Sequence, residues 1–430
     1  MSIPIQGQNR GELRRIIGRA LGIMMTGWAT TDTDTSSLID TDYLHGADDE
    51  HNGKQVVIYE AACSTGIEDG ETSFVSNFDS ATSDATCSPV FSDVIHDGAL
   101  YELWDTPWRI TDIHDAINEA ILKASAMCLQ KKQTEDTFTK SSTYLYDCLS
   151  SFKKVNSVEY EASIGESVVV DDCGTVWTAG TSVTASLDIE YEIEGTSCVK
   201  LVVAAGAAAG AVLGYGTISS KDLSKCDKIE ISLRSTIALA AGELDLVLDD
   251  TAACVSATES LNIPAMTANT QYRHIITLAN PTSDTAIISV GLVNTTDVGA
   301  CTLYIDYIRA VDSKSRNYKE LHNDYWSISK GSTPLLMLST TGLGVCGNPK
   351  LLRINGYQLP DTLSDDTTDT EIDPDFIINY AKGMLMTGHS KSRSLDIENR
   401  EKKGDNFLSL AMARLNTIST HYAPNVRSVT

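Results

Sequence analysis

The stretch Asp227–Ser235, "DKIEISLRS", decides the fold. Ile229, Ile231 and Leu233 alternate with Glu230, Ser232 and Arg234. A period of two puts the apolar side chains on one side of an extended strand and the polar ones on the other. The pattern recurs on both sides of this segment, in "SVVVDD", "ASLDIEYEIE", "SCVKLVVAA", "GELDLVLDD", "YRHIITLAN", "TAIISVGLV" and "CTLYIDYIRAV". Eight or so strands parted by Gly, Asp, Thr and Asn turns describe an antiparallel two-sheet sandwich. It is expected over residues 160–312, where almost nothing reads as helical.

Outside that region the composition shifts and then returns. "RGELRRIIGRALGIM" is an amphipathic helix, with Leu13, Ile16, Ile17, Ala20 and Leu21 at helical spacing. Arg10, Arg14, Arg15 and Arg19 cover the remainder, as a solvated face or a contact for an acidic neighbouring chain. "KQVVIYEA", "ETSFVSNFDS", "ATCSPVFS" and "GALYELW" then read as four short strands of a small, strongly bent sheet. A long helix follows in "TDIHDAINEAILKASAMCLQKK", with Thr111 or Asp112 as cap. Its stripe is Ile113, Ala116, Ile117, Ala120, Ile121, Ala124, Met127 and Cys128, and Lys131 and Lys132 complement its C-terminal dipole. Beyond Val311, "TPLLMLSTTGLGV" and "LLRINGY" read as strands, and "DPDFIINYAKGMLM" and "DNFLSLAMARLNTIS" as two closing helices. The fold class expected is therefore α+β and multidomain. A helical domain with a small β element, residues 1–155 and 315–430, is interrupted by an antiparallel β-sandwich (jelly-roll) insertion.

Charge narrows the function classes. With 58 acidic residues against 33 Lys and Arg, the formal net charge is −25. Phosphate binding draws on Lys and Arg, so a protein that grips nucleic acid is disfavoured. The opening "MSIPIQGQNRGELRR" has no apolar run of signal-peptide length. The uncharged segment Leu201–Ser220 is mostly Ala, Gly, Thr and Ser, and reads as strand, loop and strand, not as a membrane span. Ten cysteines are scattered with no CxxC pair and no zinc spacing, as expected of buried small hydrophobes; a few late disulfides are the alternative.

Candidate chemistry is sparse. The acidic run between Leu352 and Met386 holds Asp361, Asp365, Asp366, Asp369, Glu371 and Asp373. It lacks the glycine that a calcium loop needs at its sharp turn. Asp373, Pro374 and Asp375 suit a helix start, so the run reads as a capped, solvated connector. His114 has no partner at metal spacing and reads as a boundary residue. "GYG" at Gly214–Gly216 lacks the helix of a dinucleotide site, and "GLGVCG" at Gly342–Gly347 reads as a turn between strands. No nucleophile motif is present. No catalytic residue, cofactor or metal site is expected, and the chain is not expected to be an enzyme. The sandwich could hold a sugar against an aromatic ring. Its aromatics are Trp177, Tyr191, Tyr215, Tyr272, Tyr304 and Tyr307, of which the last two lie three apart and fall on opposite faces of a regular strand.

The flanking halves resemble the head–tail adaptor (connector, neck) proteins of tailed bacteriophages. The likeness lies in the Arg-rich first helix, "SSLIDTDYLHGADDEHNGKQVVIYEA", "DGALYELW" and "DIHDAINEAI". It continues in "LLRINGYQLPDTLSDDTTDTEIDPDFIINYAKGMLM" and the closing "LAMARLNTISTHYAPNVRSV". The resemblance implies a helical adaptor domain forming a homo-oligomeric ring, commonly of twelve copies, in the virion. That ring would sit under the portal protein, join it to downstream tail or neck proteins and pass genomic DNA without binding it specifically; no membrane is implied. The inserted stretch is similar to the jelly-roll, carbohydrate-binding-like domains of virion proteins, which implies a glycan as a further partner. The alternative function is then decoration or adhesion through a glycan-binding sandwich.

Overall fold

The computed structural model describes residues 8–61, 66–140, 142–331, 333–347, 349–388, 399–419 and 426–429. It divides into two units, residues 1–132 with 357–424 and residues 133–356 with 425–430.

In the first unit, "QVVIYE" (Gln55–Glu60) buries four successive side chains because it lies inside a six-stranded antiparallel sheet. The strand order is Met24–Trp28, Leu100–Trp104, Gln55–Glu60, Glu71–Asp79, Asp84–Ser88, Ser37–Ile39. Four helices, Arg10–Leu21, Ile110–Ser125, Pro374–Gly388 and Arg400–Ile418, complete the unit. The expected stripe from Ile113 to Ala124 is buried against Leu13, Ile17, Phe376 and Ile377. Asn9 caps the first helix by accepting the Glu12 amide at 2.8 Å, and Gly22 ends it with φ +66°, a left-handed conformation that suits glycine. The second helix begins at Ile110 with no side-chain cap and stops at Ser125. Lys131 and Lys132 consequently lie in the strand Gln130–Phe138, not at a helix end.

In the second unit the sandwich is present. One sheet runs Val183–Asp188, Cys198–Val203, Cys301–Val311, Lys228–Ser235, Gln271–Thr277, with Ser167–Asp171 also paired to Cys301–Val311. The facing sheet runs Thr178–Ala179, Ala211–Lys221, Ile287–Asn294, Leu244–Asp249, Glu259–Asn262. Ile229, Ile231 and Leu233 join Leu201, Leu246, Leu292 and Ile305 in one shared core. Two smaller sheets accompany it. One is built from Asn317–Glu320, Lys154–Ser163, Leu351–Gln358 and Gln130–Phe138, with Arg427–Ser428 added, and the other from Trp326–Ser329, Leu335–Leu338 and Leu145–Tyr146.

The expected fold class is corrected by this architecture. The chain is 39% strand and 20% helix, with five α-helices among the described residues, so it is mostly β and not a helical adaptor domain with a β-sandwich insertion. The small bent sheet of four strands is six strands wide, and beside the expected strands Leu335–Leu338 and Leu351–Gln358 lie two more, Asn317–Glu320 and Trp326–Ser329. The physical reason is that short edge strands with polar side chains, such as "QKKQTEDTF", carry no apolar alternation to announce them. The isoleucine stripes of the helices are conspicuous by contrast. "GLGVCG" is corrected too: Ser339 accepts the Gly342 amide at 3.0 Å and starts the helix Thr340–Cys346.

Among the described residues no helix is long and apolar enough to cross a membrane, and Leu201–Ser220 falls on two strands and their turn. Nine cysteines are free, all buried except the half-buried Cys148; Cys63 lies outside the described residues. Burial pushes the Cys87 thiol up to about 12, so it packs as a small hydrophobe.

Candidate functional site

The register of the first sandwich sheet aligns one residue from each of five strands. Ser186 pairs with Lys200, Lys200 with Tyr304, Tyr304 with Arg234 and Arg234 with Gln271. Directly opposed residues share a face. The neighbours Leu201, Leu233, Leu303 and Ile305 fill the core, so this row lies on the opposite face of the sheet. Four inter-strand steps of about 4.8 Å make the row roughly 19 Å long.

The nine residues 189–197 between Val183–Asp188 and Cys198–Val203 fold back over part of this face. Tyr191 packs on Tyr304 with ring centroids 4.5 Å apart at 57°, and the Arg234 guanidinium lies 4.3 Å from the Tyr191 ring. Lys200 lies 5.3 Å from the Tyr304 ring and bonds Asp188 at 3.2 Å. Gln271 donates to Ser232 at 2.8 Å. The result is an aromatic patch ringed by planar and hydroxyl groups, in which, among the described residues, Lys200 is ion-paired and Arg234 is not.

Further along the same strands lies a buried charge cluster. Glu230 accepts hydrogen bonds from Arg273 (3.0 Å), Arg309 (3.3 Å) and Arg316. Burial alone would raise the Glu230 carboxyl, but Arg273, Arg316 and Arg309 outweigh it and hold it below its ordinary value. Asp306 accepts the Ile193 and Glu194 amides at 2.6 and 3.0 Å, and burial raises its pKa. Arg309 Nε, Arg316 Nε and Nη1, Glu161 Oε1 and Asp306 Oδ1 are buried without a hydrogen-bond partner. Arg273 borders two cavities, one of about 760 Å³ shared with Phe138, Tyr146, Glu192 and Gln271, the other of about 510 Å³ shared with His274 and Arg316.

The residues weighed from sequence are placed as follows. Among the described residues no group of three or more His, Cys, Asp or Glu could hold a metal ion. Asp373 accepts the Phe376 amide at 3.1 Å, the expected cap, and also pairs with Arg414 at 2.6 Å. Asp365 accepts the Thr367 and Thr368 amides at 2.9 and 2.7 Å within a turn. Asp366 is not solvated. It pairs with Arg10 at 2.7 Å and with Arg14, so the arginine face of the first helix meets this loop of the same chain. His114 lies 2.8 Å from Arg14 Nη1. Burial, then Arg10 and Arg14, push its pKa down to about 4.

Trp177 is buried and donates to Asp171 at 2.9 Å; Gly216 leaves the room they occupy, since a Cβ there would meet Asp171 at 2.5 Å. Tyr307 falls in a bulge with its ring 4.7 Å from the Arg309 guanidinium, while Tyr304 takes its place in the row. Sequence reading missed the Glu230 cluster. Its only signal was charged residues at outward positions of separate strands, and their partnership needs the register.

Comparison with known proteins finds no matching family model and no curated relative. Solved structures similar to the chain include β-sandwich carbohydrate-binding modules. One is the family 11 module of cellulosomal cellulase Lic26A-Cel5E of Clostridium thermocellum, with TM-score 0.27, 12% identity, and 35% of this chain against 97% of that one covered. Another is a carbohydrate-binding module of family 29, with TM-score 0.20, 8% identity, and coverages of 42% and 88%. An exo-beta-agarase matches with TM-score 0.25, 11% identity, and coverages of 35% and 26%. Likenesses this distant carry no weight in reading the face, and none is to a phage adaptor.

Proposed function

We propose that the protein is a non-catalytic carbohydrate-binding protein whose ligand lies along the outward row Ser186, Lys200, Tyr304, Arg234, Gln271. The carrying observation is that row itself: five strands in register present hydroxyl, amide and guanidinium groups beside the Tyr191–Tyr304 pair. A pyranose offers an apolar ring face for an aromatic side chain and adjacent hydroxyls for planar hydrogen-bonding groups. Lys200 is matched by Asp188, which leaves Arg234 as the row's one cation without an ion pair among the described residues, too little positive charge to favour a phosphate chain over a polyol. The connector reading, with its ring of copies and portal partner, rests on the sequence resemblance of the flanking halves together with charge and helical faces, and no feature of this site favours it. A glycan array probed with the intact protein tests the proposal. Binding of one class of polysaccharide, lost by at least about tenfold in Arg234→Ala and Tyr191→Ala with folding retained, is the expected result. Binding that survives both substitutions places the ligand elsewhere; no binding at all overturns the reading.

A further inference from the structure

We propose that Arg273 and Arg309 form a subsite for the carboxylate of an acidic sugar, and that Glu194 occupies it in the unliganded protein. The inference deepens the carbohydrate reading and rests on it. One pleat along from the row, Ser232 pairs with both Asp306 and Arg273, so the subsite borders the proposed path of the glycan.

Three observations carry it. The first is that Glu194 Oε1 lies between the two guanidinium groups, 3.3 Å from Arg273 and 3.6 Å from Arg309, yet accepts a hydrogen bond from neither. Glu230 accepts one from each, so Glu230 is the permanent partner and Glu194 a looser one held by charge. A second is the pair of groups left over on one strand: Arg309 Nε is a buried, unpartnered donor, and Asp306 Oδ1, three residues earlier, a buried, unpartnered acceptor. A group carrying both a carboxylate and hydroxyls meets both needs; a uronic acid residue is such a group. The third concerns the segment that brings Glu194 there. A nine-residue hairpin connection exceeds the two to five residues a hairpin requires. Its side chains are poorly packed, with Ile189 77% and Ile193 36% exposed, whereas the side chains of Arg273 and Arg309 are 9% and 7% exposed. Asp306 accepts the Ile193 and Glu194 amides in the middle of the segment, so the backbone is held there and only the Glu194 side chain has to move. Displacing Glu194 exchanges one carboxylate for another and leaves the arginines neutralised.

The test uses the full chain, oligogalacturonate, and the same oligomer with its carboxyls methyl-esterified, by calorimetric titration. Wild type is expected to favour the acid over the ester. Glu194→Gln weakens the internal competitor and is expected to tighten the acid about fivefold while leaving the ester within twofold. Arg309→Gln is expected to abolish the preference while Glu230 keeps two arginine partners. Equal affinity for acid and ester in wild type and in Glu194→Gln, or weaker acid binding by Glu194→Gln, overturns the inference. If neutral glycans bind along the row in that case, the carbohydrate reading stands without this subsite. If neither neutral nor acidic glycans bind any form, the carbohydrate reading itself fails and the subsite with it. Thermal melting of each variant shows that it is folded.

Discussion

Two buried charge clusters, one in each unit, solve the same electrostatic problem differently. In the first unit a single guanidinium serves several acceptors: Arg14 gives Nε and Nη2 to Glu102 at 2.9 and 3.0 Å, and Nη1 to Asp366. Trp104 adds its indole N–H to Glu102 at 2.9 Å. In the second unit a single carboxylate, Glu230, serves three guanidinium groups. Neither Arg14 nor Glu102 has a buried polar atom without a partner, whereas Arg309 retains an unpartnered N–H and Arg316 retains unpartnered N–H groups at a cavity wall. A closed network specifies a fold; one with donors to spare at a cavity wall can also meet a ligand.

The largest expected effect breaks the closed network. Burial lowers the pKa of Arg14, but Glu102 and Asp366 outweigh it and keep the guanidinium charged. Arg14→Met preserves much of the volume and leaves the fully buried Glu102 with no close cationic partner except Arg15 at 3.5 Å. Removing one partner of a buried pair costs about 4 kcal/mol, so denaturant unfolding of this variant should show a loss of that order. A loss below about 1 kcal/mol would show that water reaches Glu102 and that the cluster is not closed.

A smaller effect is expected at the open network. Glu230→Gln removes the hub charge, but Glu194 and Glu161 remain 3.3–3.6 Å from the same arginines, and the expected loss is about 2–3 kcal/mol. Because Arg273 and Arg316 border a cavity, a small anion can take up the vacated charge. Half-molar chloride should recover part of the loss in Glu230→Gln, compared with wild type in the same salt, and none in Arg14→Met. Equal recovery in both variants would erase the distinction between the clusters.

These two networks also mark how far the sequence could be read. The alternation in "DKIEISLRS" announced both faces of its strand, including Glu230 and Arg234 on the polar side, because a period of two is a local property. The arginines of the first helix were equally visible, but the partners of Arg14, Glu102 and Asp366, lie 88 and 352 residues away and no local pattern points to them. The alternation in "ASLDIEYEIE" announced a strand through Glu194, but the strand ends at Asp188 and Tyr191 falls in the connection that follows, so only the fold brings it to Tyr304. The strand Gln130–Phe138 has no apolar face to betray it, and its first residues read locally as the tail of a helix. Local rules reach as far as a segment's own burial pattern; partnership across strands is set by register, and register is a property of the whole sheet.

The smallest effect concerns His114, at the edge of the closed network. Its pKa in the folded chain is pushed down to about 4, against an ordinary value near 6.5. Above pH ~6.5 the ring is neutral folded or unfolded and contributes no pH dependence. As pH falls from about 6.5 toward 4, the unfolded chain takes up a proton that the folded one refuses, so stability declines over that window. His114→Gln keeps a polar group beside Arg14 and cannot titrate. The variant should match wild type within about 0.5 kcal/mol at pH 7 and exceed it by about 2 kcal/mol at pH 5. Asp366, 3.8 Å from the ring, favours the protonated form but is outweighed by burial, Arg10 and Arg14. If wild type instead gained stability relative to the variant on acidification, the imidazole would be bonding Asp366 as a cation, and Arg14 would then have a proton-dependent competitor inside the network described as closed.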